Sequence, residues 1–75
     1  MTPWLRVPYE HNSADLTPVY LAVSKRKPEA SEWVPAFRDT VDGTRVVQVK
    51  VEVPPDYNVW LRDGDGIRMV SRMKA

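Results

Sequence analysis

The stretch Thr44–Val53, TRVVQVKVEV, constrains this chain more than any other. Val47, Val49, Val51 and Val53 take every second position, with Val46, Gln48, Lys50 and Glu52 completing the opposite register. Period-two alternation on β-branched residues is the pattern of a half-buried strand, because successive side chains point to opposite sides of a pleated backbone. Asp42-Gly43 offers a turn before it, and Pro54-Pro55 stops the ladder after it because proline has no N–H to donate. A single strand cannot bury a valine stripe, so other segments must supply partner strands and a second apolar layer.

Those segments can be read in order. Trp4–Tyr9 forms a first strand with Leu5, Val7 and Tyr9 on one face, and Pro3 and Pro8 place it at a sheet edge. Glu10–Asp15 is a polar loop. Thr17–Lys25 is a second strand, its Val19, Leu21 and Val23 alternating with Tyr20, Ala22 and Ser24. Glu29–Glu32 can make one helical turn, with Pro28 suited to a first helical position. Trp33–Arg38, broken by Pro35, reads as an irregular edge strand, and Asp39–Gly43 as its link to the valine strand. Tyr57–Arg62 and Ile67–Arg72 flank Asp63-Gly64-Asp65-Gly66 and form a hairpin. A four-residue loop setting Trp60 opposite Met69 and Val59 opposite Val70 pairs apolar with apolar. It is preferred to a two-residue Asp65-Gly66 turn, which sets Arg62 opposite Met69. About six short strands with turns every 8–12 residues predict an all-β chain, a small antiparallel β-sandwich or partly open barrel, in one domain over 1–75.

Composition narrows the chemistry. The absence of cysteine excludes disulfides and thiolate metal sites, and a single histidine removes most zinc-site and triad arrangements. Eleven basic residues against ten acidic leave a net charge of +1, which provides no bulk attraction to nucleic acid or to an anionic membrane. No apolar run approaches the ~20 residues of a membrane-spanning helix, and the opening MTPWLRVPYEH lacks a signal-peptide core. Asp63-Gly64-Asp65-Gly66 is a turn rather than a calcium loop. Ile67 stands where a third acidic ligand is needed, and Lys74 where the closing glutamate belongs. His11 lies in a polar loop with no partnering nucleophile motif, and the aspartates occupy turns. The expectation is a non-enzymatic chain with no catalytic residues, cofactor, metal or small-molecule substrate.

Two surfaces invite binding. Three tryptophans are an excess for 75 residues, and each is either a core filler or an interface anchor. Trp4, on a terminal edge strand with Arg6 and Tyr9, is the preferred interface. The alternative is a nucleic-acid face of Lys25, Arg26, Lys27, Trp60 and Arg62. Arg68, Arg72 and Lys74 would extend its charge, and Tyr20, Trp33 and Tyr57 would offer further stacking rings. The near-complete charge balance argues against that alternative.

The order of signals carries a resemblance. Leu5-Arg6-Val7-Pro8 opens the chain and Val19-Tyr20-Leu21-Ala22-Val23 follows a polar loop. Pro28, Glu32, Trp33, Ala36 and Phe37 then precede the valine strand, and Tyr57-Asn58-Val59-Trp60-Leu61-Arg62 leads the closing hairpin. This succession resembles a family of small virion structural proteins, of minor capsid or decoration type, from tailed phages of actinobacteria. The chain departs from the family in having Pro54-Pro55-Asp56 where a glycine is usual, and a tight DGDG where the loop is longer. The resemblance implies an Ig-like β-sandwich and a capsid-surface accessory or decoration protein docked on the major capsid lattice. A head–tail or tail accessory protein is the alternative within the same class, and a small β-barrel binding nucleic acid is the alternative outside it. The implied partners are the major capsid protein or other virion proteins, through lattice docking or self-association. The implied location is the virion, assembled in the bacterial host cytoplasm, with no membrane partner.

Overall fold

The computed structural model describes residues 2–12 and 14–73. Seven strands occur among them: β1 (Trp4–Pro8), β2 (Tyr20–Ser24), β3 (Val34–Pro35), β4 (Phe37–Val41), β5 (Thr44–Lys50), β6 (Asn58–Asp63) and β7 (Gly66–Val70). They form two antiparallel sheets, one ordered β1-β5-β4 and the other β3-β2-β6-β7. The fold is a small β-sandwich, the first of the two expected architectures.

Leu5, Val7, Val47 and Val49 from the first sheet meet Val19, Leu21, Val59 and Leu61 from the second. Apart from Val19, which directly precedes β2, these are alternate residues of β1, β5, β2 and β6, so period-two patterning builds this core directly. Each fully buried valine or leucine contributes about 1.5–3 kcal/mol. The β1–β5 ladder pairs Leu5 with Val49 and Val7 with Val47. Bonds from Tyr9 N to Arg45 O (3.0 Å) and from Val51 N to Pro3 O (3.1 Å) extend it at both ends.

The β4–β5 hairpin closes through Asp42-Gly43 as expected. Both residues have positive φ, 51° and 79°, as a type I′ turn needs. The β6–β7 hairpin sets Trp60 opposite Met69 and Val59 opposite Val70, the preferred register. Its loop is shorter than expected: Asp63 pairs with Gly66, leaving only Gly64-Asp65 between them.

Several expectations are corrected. Trp33–Arg38 is not one edge strand. Val34–Pro35 pairs with β2, and the chain then crosses to the other sheet, where Phe37–Val41 pairs with β5. Pro35 interrupts the donor series, and the bond from Ala36 N to Val19 O (2.8 Å), just before β2, is the last tie on that side before the switch. Asp39–Val41 therefore belongs to a strand and not to a linker. The second strand starts at Tyr20 rather than Thr17, because the preceding segment is held by side chains instead of a ladder. Asp15 accepts from Thr17 N, and Arg38 donates to the Thr17 carbonyl. The valine strand ends at Lys50 rather than Val53, and it is not half-buried. Val46, on the face away from the core, is as fully buried as Val47, and Gln48 is buried as well. The central position of β5 and the loop folded over its end account for this. His11 Nε2 lies 3.1 Å from the Asp39 carbonyl oxygen, and Arg45 donates to the His11 carbonyl. The helical turn is a single 3-10 turn, Ala30–Glu32, so Glu29 is its cap with a Glu29–Glu32 capping box, and Pro28 precedes the turn instead of taking its first helical position.

Candidate functional site

The outer faces of the two sheets differ in chemistry. On the first, Trp4, Arg6 and Pro8 share a side with Lys50, Gln48, Val46, Phe37 and Asp39. Arg6 lies over the Trp4 ring at 5.9 Å and Lys50 at 5.2 Å. Arg6 Nε donates to Gln48 Oε1 (2.9 Å), and Gln48 Nε2 donates to Asp39 Oδ2 (2.9 Å). Trp4 and Phe37 are exposed, but between them runs a polar array whose cation, amide and carboxylate satisfy one another.

Tyr9 does not join the expected Trp4–Arg6 surface. One residue beyond β1, it has the opposite parity to Pro8, and its hydroxyl donates to Asp63 Oδ2 at 2.8 Å, linking the two sheets. Burial, followed by the bond to the Asp63 carboxylate, holds the Tyr9 phenol above its ordinary pKa. Asp63 is 3 % exposed at its side chain although it borders a turn. Arg68 donates to both of its oxygens, at 3.3 and 3.2 Å, and Asp65 N donates at 2.8 Å. The Arg68 hydrogen bonds, helped by Tyr9 and Asp65 N, lower the Asp63 pKa to about 2 against the opposing effect of burial. No motif marks this link in the sequence, because Tyr9 and Asp63 are 54 residues apart.

On the outer side of the second sheet, Tyr20 and Ala22 of β2 stand beside Arg62 and Trp60 of β6, which stand beside Ile67 and Met69 of β7. Arg62 lies over the Tyr20 ring at 4.2 Å and over the Trp33 ring at 5.1 Å. Trp60 Nε1 donates to the Ser24 carbonyl at 3.1 Å, which ties the indole to β2. Met69 and Ile67 are exposed, by 56 % and 39 %. A hollow of about 300 Å³ opens next to Arg62, lined also by Thr17, Pro18, Tyr20, Asp63 and Gly64. Among the described residues, no carboxylate comes within ion-pair distance of Arg62.

The five residues of the expected nucleic-acid face divide. Trp60 and Arg62 stand together on this surface. Lys25 instead lies over the Tyr57 ring at 5.3 Å, and Arg26 faces Glu29 at 3.8 Å across exposed side chains. Lys27 is exposed in the bend after β2. Arg68 is committed to Asp63 on the other side of the sheet, and Lys74 lies outside the described residues. Sequence reasoning missed Ile67 and Met69 as parts of the surface. The hairpin register, once chosen, would have placed them beside Arg62 and Trp60.

None of the three tryptophans is fully buried: Trp4 is 42 % exposed, and Trp33 and Trp60 are half-buried. The physical reason is thickness, since two sheets about 10 Å apart are filled by valine and leucine and leave larger rings to the outer faces.

These features define a two-sheet β-sandwich with one self-satisfied polar face and one aromatic face on which, among the described residues at its paired positions, Arg62 is the one cation. The chain matches no protein-family model, no curated protein and no solved structure.

Proposed function

We propose that this chain is a non-catalytic docking protein, a minor structural component of a tailed-phage virion that sits as an accessory or decoration protein on the major capsid lattice. The observation that carries the docking part is the outer face of the β3-β2-β6-β7 sheet. Tyr20, Trp33, Trp60, Arg62, Ile67 and Met69 form one surface there, with Met69 more than half exposed. Tryptophan, tyrosine, methionine and arginine are the residues enriched at protein interfaces, and a contiguous apolar patch of this kind on a small domain marks an interaction site. The virion part is supported by the resemblance of the chain's motif order to phage structural proteins. A small sandwich with a modest core gains stability from docking, which suits a lattice position.

A head–tail or tail accessory role uses the same surface and differs in copy number. The nucleic-acid reading is weaker on this geometry. Only Trp60 and Arg62 of its five residues share a face, and single-strand binding needs a row of cations tracking the phosphates.

Quantitative mass spectrometry of gradient-purified particles, with crude lysate as control, tests the reading. A fixed high ratio to the major capsid protein is expected. A low fixed ratio moves the protein to the neck or tail, and abundance in lysate with absence from particles overturns the virion role.

A further inference from the structure

The geometry points to Arg62 as the receptor for a carboxylate on a partner protein: an aspartate or glutamate side chain presented among apolar residues, docking on the outer face of the β3-β2-β6-β7 sheet. This rests on the docking reading and names the chemistry of its partner.

Charge is the first argument. Arg62 is the one charged residue among the paired positions of this face, where Tyr20, Ala22, Ser24, Pro35, Asn58, Trp60, Ile67 and Met69 are its neutral companions. Asp63, the next residue in the chain, lines the adjacent hollow. It is already bound by Arg68 and Tyr9 and is 3 % exposed, so its charge is spent internally. A lone cation in an apolar field is costly to cover with a neutral surface and favourable to cover with an anion. The complementary partner therefore carries one negative charge at this point and apolar groups around it.

Preorganisation is the second argument. The guanidinium lies over two rings, at 4.2 and 5.1 Å. Stacking holds its plane while its N–H edges stay available for bidentate pairing with a carboxylate. The hollow of about 300 Å³ next to it, walled by Thr17, Pro18 and Gly64, has room for the incoming group. The exposed thioether of Met69 beside Trp60 gives the apolar rim an adaptable contact.

The edges of the sandwich give the third argument. The β4 edge is covered where His11 meets the Asp39 carbonyl, and the β1 edge where Met73 N donates to Arg6 O (2.6 Å). Among the described residues no such cover lies on β7, the strand that carries Ile67 and Met69, so a partner reaching Arg62 meets an open edge as well. A second copy of this chain fits poorly, because the paired positions of this face are otherwise neutral and offer Arg62 no carboxylate. A nucleic-acid strand would need several cations where the face has one.

The test is an NMR titration of the isotopically labelled full chain with three probes: acetyl-Leu-Asp-Leu-amide, its Asn counterpart, and a short oligothymidylate. The Asp peptide is expected to shift the Arg62 side-chain, Trp60 indole and Met69 methyl resonances, and to bind about fivefold more tightly than the Asn peptide, the margin of a charge-assisted over a neutral hydrogen bond. Arg62→Gln should abolish that preference while the remaining spectrum stays unchanged, and Arg62→Lys should keep part of it. Equal response to the two peptides overturns the proposal. So does a response centred on Trp4, or none at this face up to about 10 mM peptide, which corresponds to negligible affinity. Tighter binding of the oligothymidylate here assigns the face to nucleic acid instead. Incorporation of Arg62→Glu protein into particles at the wild-type ratio would sink this proposal and leave the virion reading standing. Peptide selectivity in a protein absent from particles would do the reverse.

Discussion

Asp63 accepts hydrogen bonds from Tyr9, Arg68 and the Asp65 amide, and through Tyr9 it ties β6 to the segment after β1. Its folded pKa of about 2 lies below the ordinary value of 3.8. A depressed carboxylate contributes stability that is fully present above the unfolded pKa and is lost as pH falls through the folded one. The shift corresponds to about 2 kcal/mol. Urea unfolding should therefore show stability steady near neutrality and declining from about pH 4 to pH 2. Asp63→Asn should lose about 2 kcal/mol at neutral pH and flatten that acid limb. An unchanged acid limb in the variant would place the pH dependence elsewhere. Asp15 is also lowered, chiefly by the Thr17 amide, but it is a surface group and adds only to the direction of the effect.

Element by element, the hairpins show where local chemistry governs. Gly66 closes the β6–β7 turn with φ of 128°, a region that an L side chain rarely adopts. Gly66→Ala should cost about 1–3 kcal/mol in denaturant midpoint experiments. Gly64→Ala, where a new Cβ meets Thr17 at an ordinary 3.6 Å, should cost far less. Strand β5 makes the opposite point. Its alternation assigns Val46 to solvent, yet Val46 is 0 % exposed, like Val47. Val46→Ala and Val47→Ala should destabilise alike, by about 1.5–3 kcal/mol each, and a neutral Val46→Ala would restore the half-buried reading. Strand alternation was legible because it follows from backbone pleating. The covering of the outer face was not, because it comes from the loop carrying His11 and from the position of β5 between two neighbours.

At the scale of the whole molecule, the two faces divide the labour. Buried valines and leucines hold the sandwich together, while all three tryptophans stay at least partly accessible on its outside. Acrylamide should therefore quench most of the native tryptophan fluorescence, and unfolding should raise the quenching only modestly. A strongly protected native fraction would contradict the placement of the rings. Covering the second sheet with a partner should protect Trp60 and Trp33 and leave Trp4 quenchable, so the same measurement reports which face docks.

Most of the strands, the two hairpins, the register of the closing one and most of the core could be read from the chain alone, because period-two burial and turn stereochemistry are local. Which residues meet across the sandwich could not. The Tyr9–Asp63 link and the meeting of Trp33 with Arg62 join positions tens of residues apart, and the switch of Val34–Val41 between sheets depends on how the two sheets pack. The sequence named Trp60 and Arg62 among the possible binding residues. Only the packing of one sheet on the other decided that they face outward together, while Lys25 turns to Tyr57 and Tyr9 turns inward.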